Sequence, residues 1–395
     1  MLLAPTASAA PSCNQTAVGT SGTGNTCKVT NNNSFGQAKV AGTGTGTNNT
    51  VTSSAKNNSV AVGTVHNGDA GGPNSSKNTV NTSADHTSAA IADVTGNNNL
   101  ATTTADNGSG AGTTIHGPNS KDNGVTTKAN HGSGAVNDVI GSTNGVTADA
   151  DHGGFASNSI GGDKNGVKAK ADNGGTAVNG VGGNSNSVNA DANHNSLAGN
   201  AVAGDNNLVT VKSDNNSAAL NGVAGNGNGV SADANHTSTA GNVVIGNSNG
   251  ATAKADNGGS ARTNVFGNNN SATAKADHSG VATSNASGGS TANSVADGAG
   301  SIATSTGTAG GTAKTTAIGG GTATSTADGL GSKADATAIG AGSTATANAT
   351  NGNQAAALAI GSGASAAADT VTNTSTCGTG FAAAATSNGS VCLQF

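Results

Sequence analysis

Three sets of residues recur in phase every 21 positions through the middle of this 395-residue chain. A period of that length makes each repeat one small supersecondary unit, which buries a core only by stacking on its neighbours. Glycine stands at Gly141, Gly162, Gly183, Gly204, Gly225, Gly246, Gly267 and Gly288; asparagine runs in the same step from Asn123 to Asn270, and alanine from Ala135 to Ala303. Within one unit, Val230, Ala232 and Ala234 alternate with Ser231 and Asp233, and Ala240, Asn242 and Val244 alternate with Gly241 and Val243. That period of two marks strands with one buried face. Asn235-His236-Thr237 and Gly246-Asn247-Ser248-Asn249-Gly250 separate the strands, supplying residues that accept positive φ at tight corners. Gly, Asn and Thr are poor helix formers, and no 3.6-residue period competes. The expectation is an all-β fold: a single-chain parallel β-solenoid of the β-helix or β-roll kind, with two short strands per coil of 21 residues.

Composition decides how wide such a solenoid is. The hydrophobic share is 33% and mostly Ala and Val, with no Trp or Tyr and five Phe, which fills a narrow core and not a conventional globular one. Disorder is the competing reading of so few bulky residues, but the chain has only four Pro, and its charges fall at fixed intervals.

Core positions repeat because each stacks on its own copies, whereas surface positions drift. Ala198-Asn200-Val202, Ala219-Asn221-Val223 and Ala240-Asn242-Val244 repeat, while the column between their Ala and Asn varies freely from coil to coil: Val136, Ser157, Val178, Gly199, Leu220, Gly241 and Arg262. Asparagine therefore points inward, as a ladder of Asn137, Asn158, Asn179, Asn200, Asn221 and Asn242, continued by Thr263, Ser284 and Ser305. A lone buried amide costs a few kcal/mol. Amides stacked about 4.8 Å apart can each donate to one neighbour and accept from the other.

Outward from the first strand runs a charge ladder of alternating sign: Lys128, Asp149, Lys170, Asp191, Lys212, Asp233 and Lys254. A turn column follows three residues later: His131, His152, Asn173, His194, Asn215, His236, Asn257 and His278. From residue 149 to 257, Asp coils carry His and Lys coils carry Asn, so the true unit is a 42-residue pair of coils. A slip of one coil would set like charges side by side, which makes the ladder a register device.

The chain divides by pattern into residues 1–9, a signal-peptide remnant; 10–45, an N-terminal cap; 46–290, the regular coils, looser before 123; 291–370, Ala- and Thr-rich coils; and 371–395, a C-terminal cap. Ala7-Ser8-Ala9 fits a secretory cleavage site before Ala10. The cysteines pair most simply as Cys13 with Cys27 and Cys377 with Cys392, which suits an exported chain. No run of 18 apolar residues predicts a membrane span. A net charge of −5 gives no electrostatic reason to bind nucleic acid or anionic lipid.

Chemistry is sparse in this reading. Only His131 and His152 of the turn column fall on adjacent coils, and His two coils apart are about 9.6 Å distant, too far to share a zinc ion. Asp172, Asp214 and Asp256 read as turn residues and not as calcium ligands. Arg262 is the single arginine, and no Ser, His and Asp set stands apart, so no catalytic site, metal or cofactor is expected. Thr126, Thr147, Thr210, Thr252 and Thr273 share an outward column, as a surface that orders ice would, but Lys168, Asn189 and Ser231 interrupt it. The second strand turns Val136, Ile140, Val178, Leu220, Val243, Ile245 and Phe266 outward, an apolar face suited to self-association or docking.

Ala317-Ile318-Gly319, Ala338-Ile339-Gly340 and Ala359-Ile360-Gly361 stand 21 residues apart in the stretch from about 310 to 368. These Ile-Gly coils resemble the head repeats of trimeric autotransporter adhesins, which use shorter repeats. The resemblance implies solenoid architecture and a role at a cell surface. The expected function is a secreted, extracellular or cell-wall-associated structural or adhesion-type protein, non-catalytic. An ice-binding solenoid and a self-assembling fibrous matrix protein are the alternatives. A second copy, a cell wall, or a host or environmental surface are the partners left open.

Overall fold

The computed structural model describes residues 26–32, 35–41, 47–56, 60–66, 75–117, 119–378 and 380–394. Every regular element among them is a β-strand. The chain divides into two units, Met1–His194 and Asn195–Phe395. Each is a parallel β-solenoid.

In the second unit, Leu208–Ser213, Gly229–Ala234, Gly250–Ala255 and Ser271–Ala276 pair side by side, each residue opposite the one 21 positions on. Leu197–Ala203, Ala218–Ala224, Thr239–Ile245, Ser260–Phe266 and Val281–Ser287 build the facing wall in the same step. The first unit repeats this with Gly124–Ala129, Gly145–Ala150, Gly166–Ala171 and Ser187–Ala192 on one wall. Gly134–Ile140, Phe155–Gly161 and Thr176–Gly182 form its other wall. The predicted coil length and strand count are those of the structure. Earlier coils are longer, with steps of 29 residues at Thr50↔Thr79 and 24 at Leu100↔Gly124. After residue 290 the step varies from 20 at Ile302↔Thr322 to 22 at Thr322↔Thr344.

Alternate residues along the coil strands from Thr50 to Asp369 enter the core, as in the strands Gly229–Ala234 and Thr239–Ile245. Apart from Ile115, the largest fully buried side chains are valines, including Val51, Val188, Val211 and Val244. The walls therefore approach closely enough that Ala and Val fill the space, which is how a chain without large side chains folds.

One corner depends on glycine. Gly204, Gly225 and Gly246 each adopt φ near 126°, a conformation that belongs to glycine alone. Two residues on from Gly204, Gly246 and Gly267, Asn206, Ser248 and Asn269 are left-handed at 57–59°, a region in which Asn is enriched. At the opposite corner His236 and Thr237 take φ of 50° and 60°.

At the C-terminal end the strand direction reverses. Thr374–Cys377 pairs antiparallel with Ser365–Asp369, and Phe381–Thr386 antiparallel with Gln354–Ile360, with Val391–Gln394 beyond it. Cys377 and Cys392 join these segments in a disulfide with Cα atoms 6.0 Å apart. Reversal and cross-link cover an edge that would otherwise template another chain. Within the stretch assigned to the N-terminal cap, Thr26–Asn32 and Phe35–Ala41 already pair in parallel with Thr50–Lys56 and Val60–His66. Cys13 and the predicted signal segment lie outside the described residues.

Candidate functional site

The asparagine ladder is buried and hydrogen-bonded. In the first unit Asn158 donates to Asn137 Oδ1 at 2.9 Å, and Asn179 to Asn158 at 2.9 Å. In the second, Asn221 donates to Asn200 at 3.1 Å, and Asn242 to Asn221 at 2.7 Å. Hydroxyls stand at the ladder ends, where Asn137 donates to Thr127 Oγ1 and Thr263 donates to Asn242. Each amide also reaches the facing wall: Asn137 donates to the Thr126 carbonyl, Asn221 to Thr210 and Asn242 to Ser231. The ladder thus joins coil to coil and wall to wall. Its polar atoms are committed to the interior.

A second buried ladder occupies the glycine corner. Asn228 is buried; its backbone N–H and its Nδ2 both donate to Asn207 Oδ1 at 3.0 Å, and Nδ2 also donates to the Gly246 carbonyl at 2.8 Å. The backbone N–H of Asn144, Asn165 and Asn186 in the first unit, and of Asn249 and Asn270 in the second, makes the same bond to the preceding Asn, while Asn270 Nδ2 turns to the Phe266 carbonyl at 3.1 Å. Sequence reasoning recognised this column only as a marker of register and missed its burial. The signal was present, because it varies as little as the inward Asn column.

The charge ladder is outward and in register: Lys128↔Asp149↔Lys170↔Asp191 in the first unit and Lys212↔Asp233↔Lys254 in the second. Among the described residues, however, the ion pairs within 4.0 Å join His to Asp, and no ladder Lys closes on an Asp. The ladder acts through solvent, at the weak end of cross-strand pairing. Asp233→Lys, placing a lysine between Lys212 and Lys254, should destabilise by about 1 kcal/mol at low salt, and Asp233→Asn by about half of that. Urea unfolding at low and high ionic strength checks this, since screening should shrink the effect. No change at low salt would mean that the column contributes nothing to register.

Histidines, read from the sequence as solvated turn residues, each reach an aspartate. His86 Nδ1 lies 3.4 Å from Asp106, His131 3.6 Å from Asp151, His236 3.3 Å from Asp256 and His278 3.6 Å from Asp297. The aspartate sits one position before the His column on the following coil. There it also caps its own turn, as Asp151 Oδ1 accepts the His152 N–H at 2.9 Å. At Asp277, burial raises the pKa, but hydrogen bonds from Asn257 and the His278 N–H, with the charges of His278 and Lys275, outweigh it and hold the carboxyl below its ordinary range.

The predicted apolar residues are outward on the second-strand wall, with Ile140, Leu220, Ile245 and Phe266 each nearly half exposed. They do not form one stripe. Val136 and Val178 flank Ser157; Ile140 faces Gly161; Leu220 faces Gly199 and Gly241; Val243 lies in a separate column. Ile245 and Phe266 are the pair in register. On the first wall the threonine column breaks where expected, at Thr147↔Lys168 and Thr210↔Ser231. A denser array lies elsewhere: Thr304↔Thr324↔Thr346 beside Thr306↔Thr326, on the wall that carries the second strands.

The fold and its surfaces define a parallel β-solenoid with internal asparagine ladders. No family model, characterised relative or solved structure matches the chain.

Proposed function

We propose that this protein is a secreted or cell-wall-associated structural protein of adhesion type, non-catalytic, that binds through the outward columns of its coils. The observation that carries this reading is the division of labour in each coil. Buried amides and hydroxyls bond to one another, while groups able to meet a partner stand on the outer walls in registered rows, Ile245 and Phe266 foremost. The Ile-Gly coils that resemble adhesin heads support the same role, and the Cys377–Cys392 disulfide suits an oxidising exterior.

Co-sedimentation of the purified chain with insoluble cell-wall polymer tests it. Ile245→Ala with Phe266→Ser should lower the bound fraction severalfold without unfolding, because Ala224 and Ser287 already occupy these columns in the coils on either side. Binding equal to wild type, or none at all, would remove the reading.

The threonine array favours a second reading, an ice-ordering surface. Its side chains repeat about 6.6–6.8 Å along the strand and about 4.8 Å across strands, and they carry no charge to bind water tightly. Inhibition of ice recrystallisation by wild type, lost in Thr324→Lys, separates this reading from the first.

A further inference from the structure

Adjacent coils both carry histidine at one place in the turn column, where the chain breaks its own alternation. Lys coils from 170 to 254 carry Asn in this column, but the Lys128 coil carries His131, directly before His152. The two imidazoles consequently stack, with ring centroids 4.6 Å apart and planes 3° from parallel. Asp151 Oδ1 lies 3.6 Å from Nδ1 of His131 and 3.0 Å from Nδ1 of His152, and Asp172 Oδ1 lies 3.8 Å from the latter. One donor atom from each of His131, Asp151 and His152 falls within 4.8 Å of the others.

We propose that His131, Asp151 and His152 form a binding site for a divalent transition metal ion of the zinc or copper(II) class. Two imidazole nitrogens and a carboxylate are the donor set those ions prefer. Two comparable groups on the chain, Asp85–His86–Asp106 and Asp277–His278–Asp297, contain a single imidazole and two carboxylates, a harder and weaker set for such ions. Without an ion, the stacked rings share one carboxylate oxygen as acceptor. An ion seated between the three donors uses a lone pair from each. Metal–nitrogen bonds near 2.0–2.1 Å require the rings to tilt toward each other. Their half-exposed side chains leave room for that, and for water to complete the coordination. The turn keeps one backbone conformation whichever residue stands there: His131 and His152 have φ of 51° and 48°, and Asn173 on the next coil has 45°.

The experiment uses the full chain without an affinity tag, titrated with zinc chloride by calorimetry and with copper(II) by electron paramagnetic resonance. Wild type should show one saturable site, with the copper signal carrying the splitting of two nitrogens. His131→Asn, which installs the residue that the Lys170, Lys212 and Lys254 coils carry, should weaken binding at least about tenfold, the lower bound seen when even a ligand's outer partner is removed. It should also reduce the splitting to one nitrogen while leaving metal-free thermal unfolding unchanged. Asp151→Asn should weaken binding too and still fold, because Asn193 and Asn235 make the same 2.9 Å turn bond to the following N–H. His236→Asn, in a column flanked by asparagines, should leave the site intact. An absence of saturable binding, equal affinity in His131→Asn, or an equal loss in His236→Asn would each overturn the proposal.

Discussion

Gly225→Ala should lose at least about 3 kcal/mol of stability, although it adds one methyl group at a surface corner. A Cβ built at Gly225 falls 2.0 Å from the carbonyl oxygen of Gly246 and 2.7 Å from its carbon, on the next coil. Both are backbone atoms fixed by coil stacking, so no side chain can swing away. The φ of 126° adds its own penalty of about 1–3 kcal/mol for any residue with a Cβ. Relief requires the coils to part, and the Gly225 N–H bond to Ala203 at 2.8 Å and the Gly246 bond to Ala224 at 2.8 Å resist that. Gly227 provides the contrast within the same turn. Its φ is 66°, the nearest atoms to an added Cβ are 3.8 Å away, and the matching residue one coil on is Ser248 at 57°. Gly227→Ser should therefore change stability by no more than about 0.5 kcal/mol. Urea unfolding of the two variants beside wild type checks the pair, and equal effects would refute the close-approach argument.

The coil, its two strands and its inward ladder were legible because every coil is packed by a copy of itself. Asn221 must meet Asn200 and Asn242 whatever the solenoid's exact cross-section, so repetition alone reveals the contact. What was missed lies off that rule. The corner asparagines resembled turn residues chosen for φ, but the left-handed position is Asn206 or Ser248, one residue earlier than the buried Asn207 or Asn249. His236 reaches Asp256 diagonally, between columns, at a separation of 20 and not 21. The threonine array crosses coils of 20 and 22 residues, at Thr304↔Thr324 and Thr324↔Thr346, and so drops out of an alignment made in steps of 21. Variability correctly turned Val136 and Phe266 outward. It does not set them on one stripe, because Val136 follows the inward Ala135 and Phe266 follows the inward Val265, two different columns.

Asn221→Ala should be among the most damaging single changes inside the second unit's walls, at about 3–5 kcal/mol. The amide makes three bonds: it donates to Asn200 Oδ1 at 3.1 Å and to the Thr210 carbonyl at 2.8 Å, and accepts from Asn242 at 2.7 Å. Alanine removes all three and leaves their buried partners short of a bond, at roughly 1–3 kcal/mol for each group that finds no substitute. Asn242 is partly spared, because its Nδ2 also reaches the Ser231 carbonyl at 2.6 Å. A void the size of the lost carboxamide adds a further penalty. Asn221→Asp keeps the shape but replaces the donor with an oxygen facing Asn200 Oδ1 and the Thr210 carbonyl, so it should be at least as harmful. Asn221→Thr should be the mildest of the three. A hydroxyl can donate once and accept once, as Thr263 shows by donating to Asn242 where the chain itself ends its asparagines. The rank order of unfolding midpoints, Thr above Ala and Ala at or above Asp, is the expected result. Amide exchange should rise in the facing strand Leu208–Ser213 as well as in Ala218–Ala224, because Asn221 ties the two walls through Thr210. If exchange rose only in the strand Ala218–Ala224 that carries the substitution, the ladder would be a stack within one sheet and not a brace between two.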